Sequence, residues 1–128
     1  MKGQQKQDWI KVKHTAVDQS LQGQLNSIEF KDHGSHIVFI PSLNLSAYGD
    51  SQEEAHAMMK DIVLKDFCDT LMHQSFEKII SDLKELGWSQ SPFFKKELSK
   101  TAYVDKQGLL KDLNVSEHTE IIERLVTV

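Results

Sequence analysis

The chain has 128 residues, 39% hydrophobic and 27% charged, with a formal net charge of −4. That is ordinary globular composition, long enough for a core that needs no staples. It contains no run approaching the ~20 apolar residues of a membrane-spanning helix. The first residues, MKGQQKQDW, carry no apolar signal-peptide core, and Cys68 is the one cysteine. No internal disulfide can form, so a reducing, cytoplasmic setting is expected. Charge is uneven: residues 1–13 sum to +3, residues 50–70 to −4 and residues 95–111 to +3.

In chain order, residues 1–8 are polar and frayed in pattern, and Trp9–Lys13 alternates as a strand would. Residues 18–27 read as a polar connection around Gly23. Ile28-Glu-Phe-Lys31 alternates again, with Ile28 and Phe30 inward and Glu29 outward. Asp32-His-Gly-Ser35 has the composition of a hairpin turn. The strand from His36 to Ile40 is apolar on both faces, as a central strand is, and Pro41 ends it. From Leu43 a new alternation points Leu43, Leu45 and Ala47 one way and Asn44, Ser46 and Tyr48 the other.

Gly49-Asp-Ser51 follows, where the glycine suits an abrupt change of direction. Ser51-Gln-Glu-Glu54 is a capping box, and Asp50, Glu53 and Glu54 complement the positive end of the helix dipole. Ala55, Met59, Val63, Phe67 and Leu71 form an apolar stripe that Met58, Ile62 and Met72 widen, leaving Lys60, Asp61, Lys65 and Asp69 wet. The pattern restarts at Phe76 and runs through Ile79, Ile80, Leu83 and Leu86 to a Gly87 C-cap. Gln74-Ser75 is the expected break, and Trp88 is expected to fold back over the helix end. Phe93, Phe94 and a lysine-rich connector lead to a strand at Thr101–Val104 and a turn at Asp105–Gly108. Residues 116–128 fit a helix or a β-branched strand equally well.

Chemistry is sparse. His33 and His36 face each other across a turn with no second ligand pair, so no metal or other cofactor is implied. There is no nucleophile motif and no phosphate-cradling glycine loop. Glu29, Asp32, Asp50 and Glu54 are the one carboxylate set with the chemistry to meet on a cation. Each has a simpler role in a turn, in a cap or on a wet strand face.

Around the junction, Phe39-Ile-Pro41-Ser-Leu43, Gly49-Asp50-Ser51 and Gln52-Glu53-Glu54-Ala55 resemble the HicB-type antitoxin domain over about residues 28–73. The resemblance implies a partial ribonuclease-H-like fold: three antiparallel strands, a helix, and usually another strand returning to the sheet. It also implies a non-enzymatic protein that binds and silences a small basic messenger-RNA-cleaving toxin. The sequence departs from the pattern by an extra residue between Phe39 and Pro41. It also has no evident pair of helices for operator binding after residue 88.

The expected fold is therefore α+β. A small antiparallel sheet (strands near 28–31, 36–40 and 43–48) carries the helix from Ser51 on one face, and the C-terminal segment adds one or two strands. The chain is read as one domain, with an N-terminal extension over 1–27, a core over 28–88 and a C-terminal extension over 89–128. Glu53, Glu54, Asp61, Asp69 and Tyr48 are the expected partner-binding residues, facing a basic protein. A second copy covering an open sheet edge is a further candidate partner. The alternative is a nucleic-acid-binding domain using the lysines of 93–111 with Phe93, Phe94 and Tyr103; an orphan HicB-like role or a carboxylate enzyme ranks below it.

Overall fold

The computed structural model describes residues 4–104 and 120–128, with side chains described for residues 7–101 and 120–128. Its sheet is built on one long strand, β2 (Gln19–Asp32). Around it lie β1 (Gln4–His14), β3 (Ser35–Ile40), β4 (Leu45–Gly49), β5 (Ser89–Gln90), β6 (Glu97–Val104) and β7 (Ile122–Thr127). All pairings are antiparallel, in the order β4-β3-β2-β1-β6-β5, with β7 added on β2. The protein is thus α+β, as expected, with seven strands among the described residues.

The strand reading needs several extensions. Residues 4–8 are not frayed but open β1, and Glu97–Lys100 are not connector but the first half of β6; the two stretches of β1 and β6 pair with each other. The run 18–27 is not a connection: from Gln19 it is strand, paired with β1 and then β7. Leu21, Gly23 and Leu25 are buried in alternation with Gln22, Gln24 and Asn26. Gly23 reads as a breaker but is needed for close packing, since a Cβ there would lie 2.2 Å from the Trp9 carbonyl oxygen. The ambiguous tail is a strand, β7, its pairing partner lying far away in sequence.

Ile28 and Glu29 pair with Phe39 and Val38 of β3 and also with Glu123 and Ile122 of β7. Strands therefore flank both edges of β2 at that point. Ser27, Ile28, Glu29 and Phe30 are all buried. Glu29 is not outward: it shares the helix-facing side with Leu25 and Val38, while Ile28 and Phe30 lie on the opposite side. A strand buried on both faces has no wet side for a carboxylate to choose, so alternation alone misplaces it.

The β2–β3 hairpin turns through His33 and Gly34, with φ of 51° and 85°, as two-residue hairpins of this hand require. Pro41–Asn44 turns the chain into β4, Asn44 supplying another positive φ of 53°. Gly49 is not at positive φ; its value is space, because a Cβ would sit 2.7 Å from the Ala55 amide nitrogen. Without a side chain there, the helix start packs directly on the end of β4.

The helix leaves as α1 (Gln52–Met58), widens into a π-helical stretch (Met59–Leu64) and continues as α2 (Lys65–Met72). Ser51 caps it by accepting from the Glu54 amide at 3.1 Å; the Ser51 amide makes no reciprocal bond to the Glu54 carboxylate. A break at His73–Ser75 precedes α3 (Phe76–Glu85), capped by Ser75 and closed by Gly87 at φ 97°. Trp88 does fold back: it is buried, and its Nε1 donates to the Ser42 carbonyl at 3.0 Å.

The stripe is corrected in one respect. Spacing of four from Ala55 to Leu71 drifts about 40° per step on a regular α-helix. The π-helical stretch absorbs that drift, turning Leu64 inward and leaving Met58 and Ile62 exposed. Residues Ala55, Met59, Leu64, Leu71 and Met72 then pack with Ile79 and Leu83 onto Ile10, Leu25, Val38, Ile40 and Val126. Among the described residues, no helix is long and apolar enough to cross a membrane.

Candidate functional site

Two features sit side by side on the helical layer. The first lies where α1 starts, beside β2 and β7. Here Arg124 Nε approaches Glu29 Oε2 at 3.1 Å, and Gln52 Nε2 donates to Glu29 Oε1 at 3.2 Å. The arginine contact is an ion pair without hydrogen-bond alignment. The carboxylate is 3% exposed and the arginine 43%, so a buried charge is neutralised by one that reaches water. Above this pair opens a 510 Å³ cleft whose wall includes Glu53, His56, Lys60, Asp61 and Arg124. The His56 Nδ1 is buried with no partner.

The second feature is a 560 Å³ groove between the long helix and the end of α3. Its lining is apolar at Leu45, Ile62, Val63, Phe67 and Leu86, with Asp66 and Asp82 among the polar residues beside them. Ile62 is 58% exposed. The π-helical stretch creates this groove by holding Ile62 away from the core. Asp82 is already engaged: Lys78 Nζ and Gln74 Nε2 donate to it at 2.7 and 2.9 Å. Those bonds hold its carboxyl below the usual carboxylate range and raise the Lys78 ammonium. Asp66 is the acid still open at this groove.

Of the expected partner-binding residues, Glu53 and Asp61 share the cleft. Glu54 is exposed at the cap, and Asp69 is exposed on α2. Tyr48 stands apart. It is exposed on the sheet side facing away from the helices, because its neighbours Ala47 and Gly49 take the inner positions of β4.

Asp66 and Ile62 were missed by periodicity, which assigned Ile62 to the core; the drift of a four-residue repeat was the available signal. Arg124 was invisible because it meets Glu29 only through the β2–β7 pairing.

The carboxylate set does not assemble. Asp32 pairs with His33 at 2.7 Å, Asp50 and Glu54 are exposed, and Glu29 is committed to Arg124 and Gln52. Among the described residues no three His, Cys, Asp or Glu side chains converge as metal ligands would. The Cys68 thiol is pushed up to about 11 by burial and by Asp69, which disfavours the nucleophilic thiolate. Of the proposed nucleic-acid segment, Phe93 and Phe94 are exposed, whereas Lys106, Lys111 and the Tyr103 side chain lie outside the described residues. Comparison with protein-family models, with curated proteins and with solved structures finds no match for this chain.

Proposed function

We propose that this chain is a non-enzymatic protein-binding module of the HicB-antitoxin kind. It holds a small basic partner, such as a messenger-RNA-cleaving toxin, against the outer side of its long helix. One observation carries the reading: an apolar groove with a half-exposed isoleucine lies on the same helix as exposed Glu53, Asp61, Asp66 and Asp69. An apolar anchor flanked by acids fits a basic, amphipathic segment, with the groove giving affinity and the acids giving steering. The order β2-β3-β4-helix supports it too, being the order that the resemblance at Gly49-Asp50-Ser51 implies.

The test is a tagged pull-down from the native host at moderate salt, run in parallel with the doubly substituted Ile62→Lys, Asp66→Lys chain. A small, basic, stoichiometric protein that is released by high salt and absent from the variant is the expected result. Recovery of no such protein, or equal recovery by the variant, rejects the reading.

A further inference from the structure

We propose that the opposite side of the molecule, the open face of β1 with the Ser91–Lys96 loop, is a binding surface for single-stranded nucleic acid. β1 alternates strictly here. Ile10 and Val12 are fully buried on the helix side, so Trp9, Lys11 and Lys13 stand on the outer side. Trp9 is 44% exposed, with Gln24 of β2 and Ser99 of β6 as its cross-strand neighbours. Its ring therefore lies among polar side chains on a sheet surface. Open antiparallel sheets with outward aromatics are surfaces on which unpaired bases stack.

The loop adjoins this strand. Val12 N–H donates to the Lys96 carbonyl at 2.8 Å, which pins the loop to the end of β1. Within it, the Ser91 hydroxyl accepts from the amides of Phe93 and Phe94, and Gln90 Nε2 donates to the Lys95 carbonyl. This bonded loop holds Phe93 at 86% and Phe94 at 65% exposure. Leaving a phenylalanine in water forgoes the gain from burying its ring, so a fixed loop presenting two of them is built to meet something.

Charge says what that is. Lys95 and Lys96 are exposed on the loop; on the strand, Lys11 is exposed opposite Glu97 of β6, and Lys13 pairs with Asp18 at 3.0 Å. Lysines interleaved with aromatics match a strand that offers phosphates and base faces alternately. From Trp9 to Val12 is about 10 Å of strand, enough for about three nucleotides at the 3.4 Å rise of a stacked strand. An anionic membrane would call for apolar tips in place of the glutamines and serine around Trp9. None of these residues belongs to the helix-side groove, so this inference does not depend on the antitoxin reading.

The test measures anisotropy of a labelled short oligouridine and of the matching duplex with the full chain at low salt. Tryptophan emission is followed in parallel. Saturable binding that favours the single strand and quenches the exposed Trp9 is the expected result. Phe93→Ala with Phe94→Ala, both too exposed to disturb folding, should weaken it at least about tenfold, as loss of base stacking does. Lys95→Gln with Lys96→Gln should reduce the slope of log affinity against log salt by about 1.4, at about 0.7 per phosphate contact. Absence of saturable binding overturns the proposal, as does equal affinity for duplex. So does binding that ignores the phenylalanines, or retention on anionic vesicles with the same dependence on them.

Discussion

Glu29 is the residue whose setting says most about how this core is specified. Its carboxylate is buried on the helix side of β2 and answered by Arg124 of β7 and Gln52 of α1, so three distant segments meet on one charge. Removing Arg124 leaves the buried Glu29 carboxylate with Gln52 but without its opposite charge. Because the arginine itself reaches water, Arg124→Ala should destabilise the chain by about 1–2 kcal/mol, and Glu29→Gln by clearly less, since the Gln52 contact survives. The double variant should fall closer to wild type than Arg124→Ala alone; denaturant midpoints measured for all three check that order. Cys68 makes a second prediction at this scale. With its thiol pushed up to about 11, it should react with a disulfide reagent far more slowly than an unperturbed thiol at neutral pH, and unfolding should restore the ordinary rate. Little of this was legible in sequence. Alternation placed Glu29 on a wet face because it assumes one covered side. Cys68, beside Phe67 on the long helix, is partly buried.

At the scale of elements, local rules did well where the cause is local. Ser51 caps, the helix breaks at His73–Ser75, Gly87 closes α3, and Asp32-His-Gly-Ser35 turns through two positive φ angles. Each depends on a few adjacent atoms that the sequence names directly. The π-helical stretch between α1 and α2 shows the opposite case, since its cause is the mismatch between a four-residue repeat and the helical period. That mismatch put Ile62 in the groove and Leu64 in the core. The Lys78–Asp82 pair on α3 gives this scale its prediction. Asp82 is lowered, first by the hydrogen bond from Lys78 and then by that from Gln74. A lowered carboxyl contributes stability that is full above the ordinary carboxylate range and fades as pH falls through the lowered value. Lys78 is raised, so its share is full below the ordinary lysine range and fades only at strongly alkaline pH. Both are complete at neutrality. Asp82→Asn should flatten the acid limb of a melting-temperature-against-pH profile and leave the Gln74 contact available; an unchanged acid limb would show that the pair contributes nothing measurable.

Across the whole molecule, charge is unevenly spread. The long helix exposes Glu53, Asp61, Asp66 and Asp69 beside Lys60 and Lys65, while Lys95 and Lys96 are exposed on the loop joined to β1, whose Lys11 stands opposite Glu97. The order of β2, β3, β4 and the long helix was legible because hairpins and caps are short-range. Strands at Trp9–Lys13, at Thr101–Val104 and in the C-terminal segment were legible too, but their pairing was not, because β1–β6 and β2–β7 join segments that only the folded chain brings together. That is also why nothing in the sequence joins β1 to the Ser91–Lys96 loop, which meet through the Val12–Lys96 bond. If the two faces work as proposed, they are separated by the full thickness of a helix-on-sheet layer and share no side chain. Sites so separated combine additively to within about 0.5 kcal/mol. The oligouridine affinity of the Ile62→Lys, Asp66→Lys chain should then equal that of the unsubstituted chain within that margin. Capture of the basic partner should likewise survive Phe93→Ala with Phe94→Ala. A larger mutual effect would mean that one ligand reaches both faces, and the basic partner would then be the better candidate for the single occupant.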